Sequence, residues 1–247
     1  MYKRQAELCE RIAHTLASAP IHDHLGYEAL AYLKLPGPDY RALLSTFHNI
    51  LHPELYVEIG VRRGDTVRLA LPETRVVGID PAPQMEPRPN TLVGVTTSDD
   101  FFSIEKNRMR CFGFDLALID GDHAAAQVRK DFLTLERLAK GSSIICLHDI
   151  IPMDERTAQP KAEGVSFHTG DAWRVMAAIV EQRWDLIAFT VACPPTGLGI
   201  VGRFNDCEGV EIDYSKPFPS TWDEQVRALN IVQNDPREIL AALGQAA

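Results

Sequence analysis

The chain predicts an α/β protein: a doubly wound, Rossmann-like, mostly parallel sheet of seven strands, with an antiparallel edge strand and an N-terminal helical cap. Three observations carry this. From residue 55 onward, short apolar runs alternate with helical stretches, the pattern of a parallel sheet whose crossover helices cover both faces. The last two apolar runs are joined only by Cys193-Pro194-Pro195-Thr196-Gly197, too short for a crossover helix, so they pair antiparallel. The 247 residues, 45% hydrophobic and 24% charged, suffice for one core and exclude a disordered chain.

Each element has its own signal. Residues 1–19 read as a helix, with Leu8, Ile12 and Leu16 four apart and Pro20 as the stop. The loop that follows holds His22-Asp23-His24, read as turn or capping residues ahead of a metal cluster. A second helix spans about 39–51, opened by Pro38-Asp39 and closed by His52-Pro53. Strands are expected over 55–59, 75–79, 91–95, 114–119, 143–147, 186–191 and 199–201, and helical stretches over 65–70, 100–108, 125–139 and 171–183. Segment 151–170 is polar and without periodicity, the composition of a functional loop such as a substrate lid. The tail from Trp222 to Leu243 reads as short helices split at Pro236. The expected division is a helical cap over 1–54, a ligand-binding core over 55–205, and a tail over 206–247 packed on the core or on a homodimer partner.

Composition narrows the partners. A net charge of −9 without a Lys/Arg cluster argues against nucleic acid. No apolar run approaches the roughly 20 residues of a spanning helix, and residues 1–10 are charged and lack a signal-peptide core. Five cysteines without CxxC spacing read as free thiols, with Cys111, Cys146 and Cys193 in or beside apolar runs. A reducing cytoplasm suits them best.

In open α/β sheets ligands bind beyond the carboxyl ends of the strands, so the residues that follow each run carry the chemistry. The first run ends Glu58-Ile59-Gly60, with Gly64-Asp65 opening the next element. Gly60 permits a tight turn and close approach of a ligand to the backbone. The second ends at Asp80, about 20 positions beyond Glu58, the interval expected of a carboxylate that grips ribose hydroxyls. The alternative for Asp80 is a turn cap before Pro81. The third is followed by Thr96-Thr97-Ser98-Asp99-Asp100, able to meet an adenine edge, to cap a helix, or both. The fourth ends in Ile119-Asp120-Gly121-Asp122-His123 and the fifth in His148-Asp149. Adjacent strands would bring Asp120, His123, His148 and Asp149 into one pocket, suited to a divalent cation or to proton abstraction.

Together, Val57-Glu58-Ile59-Gly60, Gly64, Gly78-Ile79-Asp80, Ile119-Asp120-Gly121-Asp122-His123 and His148-Asp149 resemble the class I S-adenosylmethionine-dependent methyltransferases of the family 24 type, over roughly 55–203. The resemblance implies S-adenosylmethionine as cofactor. It places Glu58, Gly60 and Gly64 around the methionine portion, Asp80 on the ribose, Ser98 and Asp99 beside the adenine, and Asp120 at the edge of the same site. Position 62 departs from the pattern, holding Arg where many of these enzymes have glycine. Related metal-dependent sugar and catechol O-methyltransferases hold Mg²⁺ with a strand-four Asp and a strand-five acidic pair. Asp120 and Asp149 match two of these positions, and His148 stands at the third.

The implied activity is methylation of a small-molecule or sugar hydroxyl, with His123 as base and His148 as the second candidate. The alternatives are an NAD-dependent oxidoreductase, which predicts a GxGxxG that residues 60–64 lack, and a non-catalytic nucleotide-binding protein on the same fold. A relative of the cephalosporin hydroxylases would need an iron triad that cannot be singled out.

Overall fold

The computed structural model describes residues 24–86, 88–110, 113–161, 164, 166–205 and 211–244. The helix expected over 1–19, His22-Asp23 of the histidine cluster, and Cys9, Cys111 and Cys207 lie outside these residues.

The first described elements are helices α1 (His24–Lys34) and α2 (Tyr40–Leu51). Asp39 caps α2 by accepting from the Ala42 N–H at 2.9 Å, and His52 ends it in the left-handed region at φ 45°. Strands β1 (Leu55–Ile59), β2 (Arg75–Ile79), β3 (Thr91–Gly94), β4 (Leu116–Ile119) and β5 (Ile144–His148) follow, with α3 (Ser98–Arg110) after β3 and α4 (Ala125–Glu136) after β4. Helix α5 (Trp173–Gln182) precedes β6 (Ile187–Val191) and β7 (Leu198–Gly202), and α6 (Trp222–Leu229), β8 (Ile231–Val232) and α7 (Pro236–Ala242) complete the fold.

All seven expected strands form. Among the described residues the sheet has eight, in the order β3-β2-β1-β4-β5-β7-β6-β8, because the two-residue β8 adds to β6 in parallel. The antiparallel pair β6–β7 also forms, but β7 lies inside the sheet, inserted between β5 and β6 and antiparallel to both. The outer positions belong to β3 and β8.

Strand alternation builds two cores. Val57, Ile59, Ala117, Ile119, Ile145 and Leu147 face one side, packed with α1, α4 and α5 residues such as Leu30, Phe132 and Trp173. Tyr56, Leu116, Leu118, Ile144 and Cys146 face the other, packed with Leu43, Leu44 and Phe47 of α2 and Ile239 and Leu240 of α7. The helix expected over 65–70 is a single 3₁₀ turn, Val67–Leu69. The β1–β2 connection forms only this turn, and α2 supplies the apolar stripe that this face requires. Among the described residues, Cys146 and Cys193 are free and buried, and no helix is long and apolar enough to cross a membrane.

Candidate active site

The chain runs from β1 outward to β3 and returns to β4 on the other side of β1, so the strand order reverses between β1 and β4. The turns at these two strand ends are pressed together. The Gly60 N–H donates to the Ile79 carbonyl at 2.8 Å, and the Asp120 N–H donates to the Ile59 carbonyl at 2.8 Å. Gly60 sits at φ 90°, and a Cβ there would lie 2.2 Å from the Asp120 carbonyl oxygen, so only glycine fits. A cavity of about 870 Å³ opens over this point, within the size range of small-molecule and cofactor sites.

Of the residues expected in the site, Gly60, Asp80, Ser98, Asp99, Asp120, His123, His148 and Asp149 line this one cavity. Glu58 and Gly64 do not. Glu58 is fully buried and accepts from Tyr56 Oη at 2.7 Å and Thr66 Oγ1 at 2.6 Å. Burial pushes its carboxyl up to about 8 despite these two bonds. It stands beneath the loop as a brace. Gly64, at φ 72°, packs against the Met85 side chain.

At one end of the cavity, Asp80 accepts from the Arg62 N–H at 2.8 Å and the Ala82 N–H at 2.7 Å. Each of its oxygens keeps a lone pair for a diol. Arg62 takes φ 40° to make this bond, which explains why glycine suits the position. Beside it, Ser98 Oγ donates to Asp131 Oδ1 at 2.6 Å, and Gln127 Nε2 donates to the same oxygen at 3.1 Å. Asp131 Oδ2 is buried and has no partner among the described residues, and burial pushes this carboxyl up to about 6. Asp99 is tied to Lys130 at 2.8 Å.

At the other end the four groups from β4 and β5 meet as crossed pairs. His148 Nδ1 lies 2.9 Å from Asp120 Oδ1, and His123 Nδ1 lies 2.9 Å from Asp149 Oδ2. Thr196 Oγ1 donates to Asp149 Oδ1 at 2.6 Å, and Asp149 is held at φ 59°. Burial opposes charge on both imidazoles and on Asp149, but the opposite charges outweigh it. His123 is pushed up to about 9, His148 is raised, and Asp149 is held well below the usual carboxylate range. His148 is enclosed, with Tyr40 stacked on it at 3.9 Å between centroids and Thr196 Oγ1 3.4 Å from Nε2. His123 is more open, at 28% side-chain exposure, and its Nε2 is 3.8 Å from the nearest Asp120 oxygen, beyond hydrogen-bond reach.

The loop carrying His123 is positioned from a distance. Helix α4 has no cap of its own at Ala124, and Asp171 supplies one by accepting from the Ala125 N–H at 2.7 Å. Gly170, at φ 66°, lets the chain pass where a Cβ would lie 2.3 Å from the His123 carbonyl oxygen. None of the described residues of 151–170 lines the cavity. That segment acts here as a buttress.

Asp120, His123 and Asp149 each offer one ligand atom, all within 4.8 Å of one another. Two carboxylates and one imidazole make a donor set that fits a first-row transition dication. Mg²⁺, which favours oxygen alone, would be served by the two carboxylates.

Sequence reading missed Tyr40, Thr196, Gln127 and Asp131 as members of the site. Tyr40 reads as the first apolar position of an amphipathic helix, and Thr196 as part of a turn. Neither carries a signal of its own.

Residues 57–150 match the family model of a methyltransferase domain. Among solved structures the chain is similar to cofactor-bound Rv0187 from MTB, with a TM-score of 0.50 at 17% identity, covering 79% of this chain and 97% of that one. At that identity the likeness shows the fold. Weaker likenesses are to the O-methyltransferase from Bacillus cereus in complex with SAH (TM-score 0.47, 15% identity, 81% and 90% covered). Another is to the O-methyltransferase TomG from Streptomyces achromogenes, involved in tomaymycin synthesis, in complex with SAM (TM-score 0.47, 14% identity, 83% and 100% covered). No curated protein matches the chain.

Proposed function

We propose, from the match of residues 57–150 to a methyltransferase domain, that this chain uses S-adenosylmethionine to methylate a hydroxyl of a small molecule or sugar, with His123 taking the proton. The observation that carries the reading is the division of one cavity into two unlike ends. One end holds acceptors suited to a nucleoside: the Asp80 carboxylate for the ribose diol and the unpartnered Asp131 oxygen for the adenine amino group. The other holds two carboxylate–imidazole pairs.

Methyl transfer from a sulfonium is an in-line displacement. The acceptor oxygen forms a bond to the methyl carbon as the carbon–sulfur bond breaks, and the hydroxyl proton must leave. Holding the partners in line lowers the barrier by several kcal/mol. His123 is the group placed to receive the proton, because Nδ1 is engaged by Asp149 while Nε2 is without a hydrogen bond. In the free protein the neighbouring carboxylates keep its imidazole protonated. The positive sulfonium, on entering, opposes that charge and favours the neutral base. His148 is enclosed by Tyr40, Asp120 and Thr196, which makes it a positioning residue.

A second reading has one observation in its favour, the 4.8 Å grouping of Asp120, His123 and Asp149. A cation held there would act as a Lewis acid toward the acceptor oxygen, with His123 a ligand instead of a base.

The test is production of S-adenosylhomocysteine across a panel of hydroxylated acceptors, for wild type and His123→Ala, with chelator, Mg²⁺ or Mn²⁺. The base reading expects turnover to fall about 100-fold or more in the variant, with cofactor affinity kept and chelator without effect. Loss of turnover with chelator, restored by a metal, moves His123 to the ligand role. Unchanged turnover in His123→Ala contradicts both.

A further inference from the structure

The cavity carries charge that neither the nucleoside nor the proton step uses. Arg41, Arg62 and Arg63 line it beside seven aspartates, on a chain whose net charge is −9. Arg62 and Arg63 have no side-chain hydrogen bond or ion pair with any described residue. Arg41 has the Asp39 and Asp65 carboxylates and the Tyr40 hydroxyl near it; Asp65 stands 3.9 Å away and is engaged more closely by Arg68 at 2.5 Å.

Arg41 is also tied to the reacting end. Its guanidinium lies over the Tyr40 ring at 5.5 Å, and the same ring is stacked on His148. Tyr40 itself is fixed, its N–H donating to the Pro194 carbonyl at 3.1 Å.

We propose that Arg41, with Arg62 and Arg63, forms an oxyanion subsite, so that the methyl acceptor is a hydroxyl compound bearing a carboxylate or a phosphate. The proposal rests on the methyltransferase reading and narrows its substrate class. Guanidinium groups are suited to these oxyanions because their planar donor fork matches two oxygens at once. The cofactor does not account for three of them. Its amino-acid end carries one carboxylate, which one guanidinium can hold. An anionic acceptor would engage the others.

The experiment is calorimetric titration of malonate and of pyrophosphate, at low ionic strength, into protein saturated with S-adenosylhomocysteine. The same titrations are run on Arg41→Gln and Arg63→Gln. The expected result is binding of at least one anion at about millimolar Kd or tighter, weakened roughly 5-fold or more in each variant. S-adenosylhomocysteine affinity should stay within about 2-fold in both. The tighter of the two probes identifies the oxyanion. Absence of anion binding to the cofactor-loaded protein overturns the proposal while leaving the methyltransferase reading intact. Weakening of S-adenosylhomocysteine by both variants, with anion binding unchanged, assigns the arginines to the cofactor's carboxylate and also overturns it. If wild type fails to bind S-adenosylhomocysteine at all, the underlying reading is what fails, and the proposal with it.

Discussion

Asp131 carries a cost in the free protein that the proposed contact with the adenine amino group would offset. One oxygen takes Ser98 and Gln127, and the other is buried and without a partner. Burial raises its carboxyl to about 6 from the ordinary 3.8. Between these two values the folded state holds a proton that the unfolded state has released, so stability falls as pH rises through the window. Above pH 6 the full cost is present. Asp131→Asn should therefore gain on wild type as pH rises from 4 to above 6, by up to about 3 kcal/mol. At the same time its affinity for S-adenosylhomocysteine should drop about 5- to 10-fold, because the amide nitrogen opposes the adenine amino group. Calorimetric unfolding at pH 4 and 8, with titration at pH 8, reads both. A stability gap that does not move with pH, or cofactor affinity that is unchanged, contradicts the role given to this oxygen. Nothing in the sequence marked Asp131. It sits mid-helix among Lys, Arg and Gln residues and reads as part of a solvated face, and only the packing of α3 against α4 buries it.

At the scale of elements, the strand ends were legible and the supports were not. Apolar runs ending in Gly60, Asp80, Asp120 and His148-Asp149, with Ser98-Asp99 after the third run and His123 after the fourth, led to eight residues that line one cavity, because a parallel strand's direction fixes where its carboxyl end emerges. The 3₁₀ turn at Val67–Leu69 and the inner position of β7 were not legible. The first depends on how residues 60–74 pack against α2, and the second on which strands β7 pairs with. The same holds for Asp171, which lies next to a predicted helix start yet caps a different helix. Asp171→Ala should cost about 1 kcal/mol of stability and lower turnover about 10-fold through the displaced His123 loop, while cofactor affinity holds. Chemical denaturation and steady-state kinetics check this. A loss of stability with kcat unchanged would show that the cap does not position His123.

On the scale of the whole molecule, two cores on opposite faces hold the sheet rigid, and the strand order reverses between β1 and β4. The cavity stands over that reversal. The chain brings Tyr40 to it from α2 and the crossed pairs from the ends of β4 and β5, with Thr196 of the β6–β7 turn donating to Asp149. A division of labour between ends of one cavity is the central claim, and cofactor binding tests it most directly. Wild type and Asp80→Asn should be titrated with S-adenosylhomocysteine and, separately, with NADH. The expected result is a Kd on the order of 1–50 μM for S-adenosylhomocysteine, weakened about 10-fold or more in Asp80→Asn, with no comparable heat from NADH. Saturable binding of NADH, with none of S-adenosylhomocysteine, would contradict it.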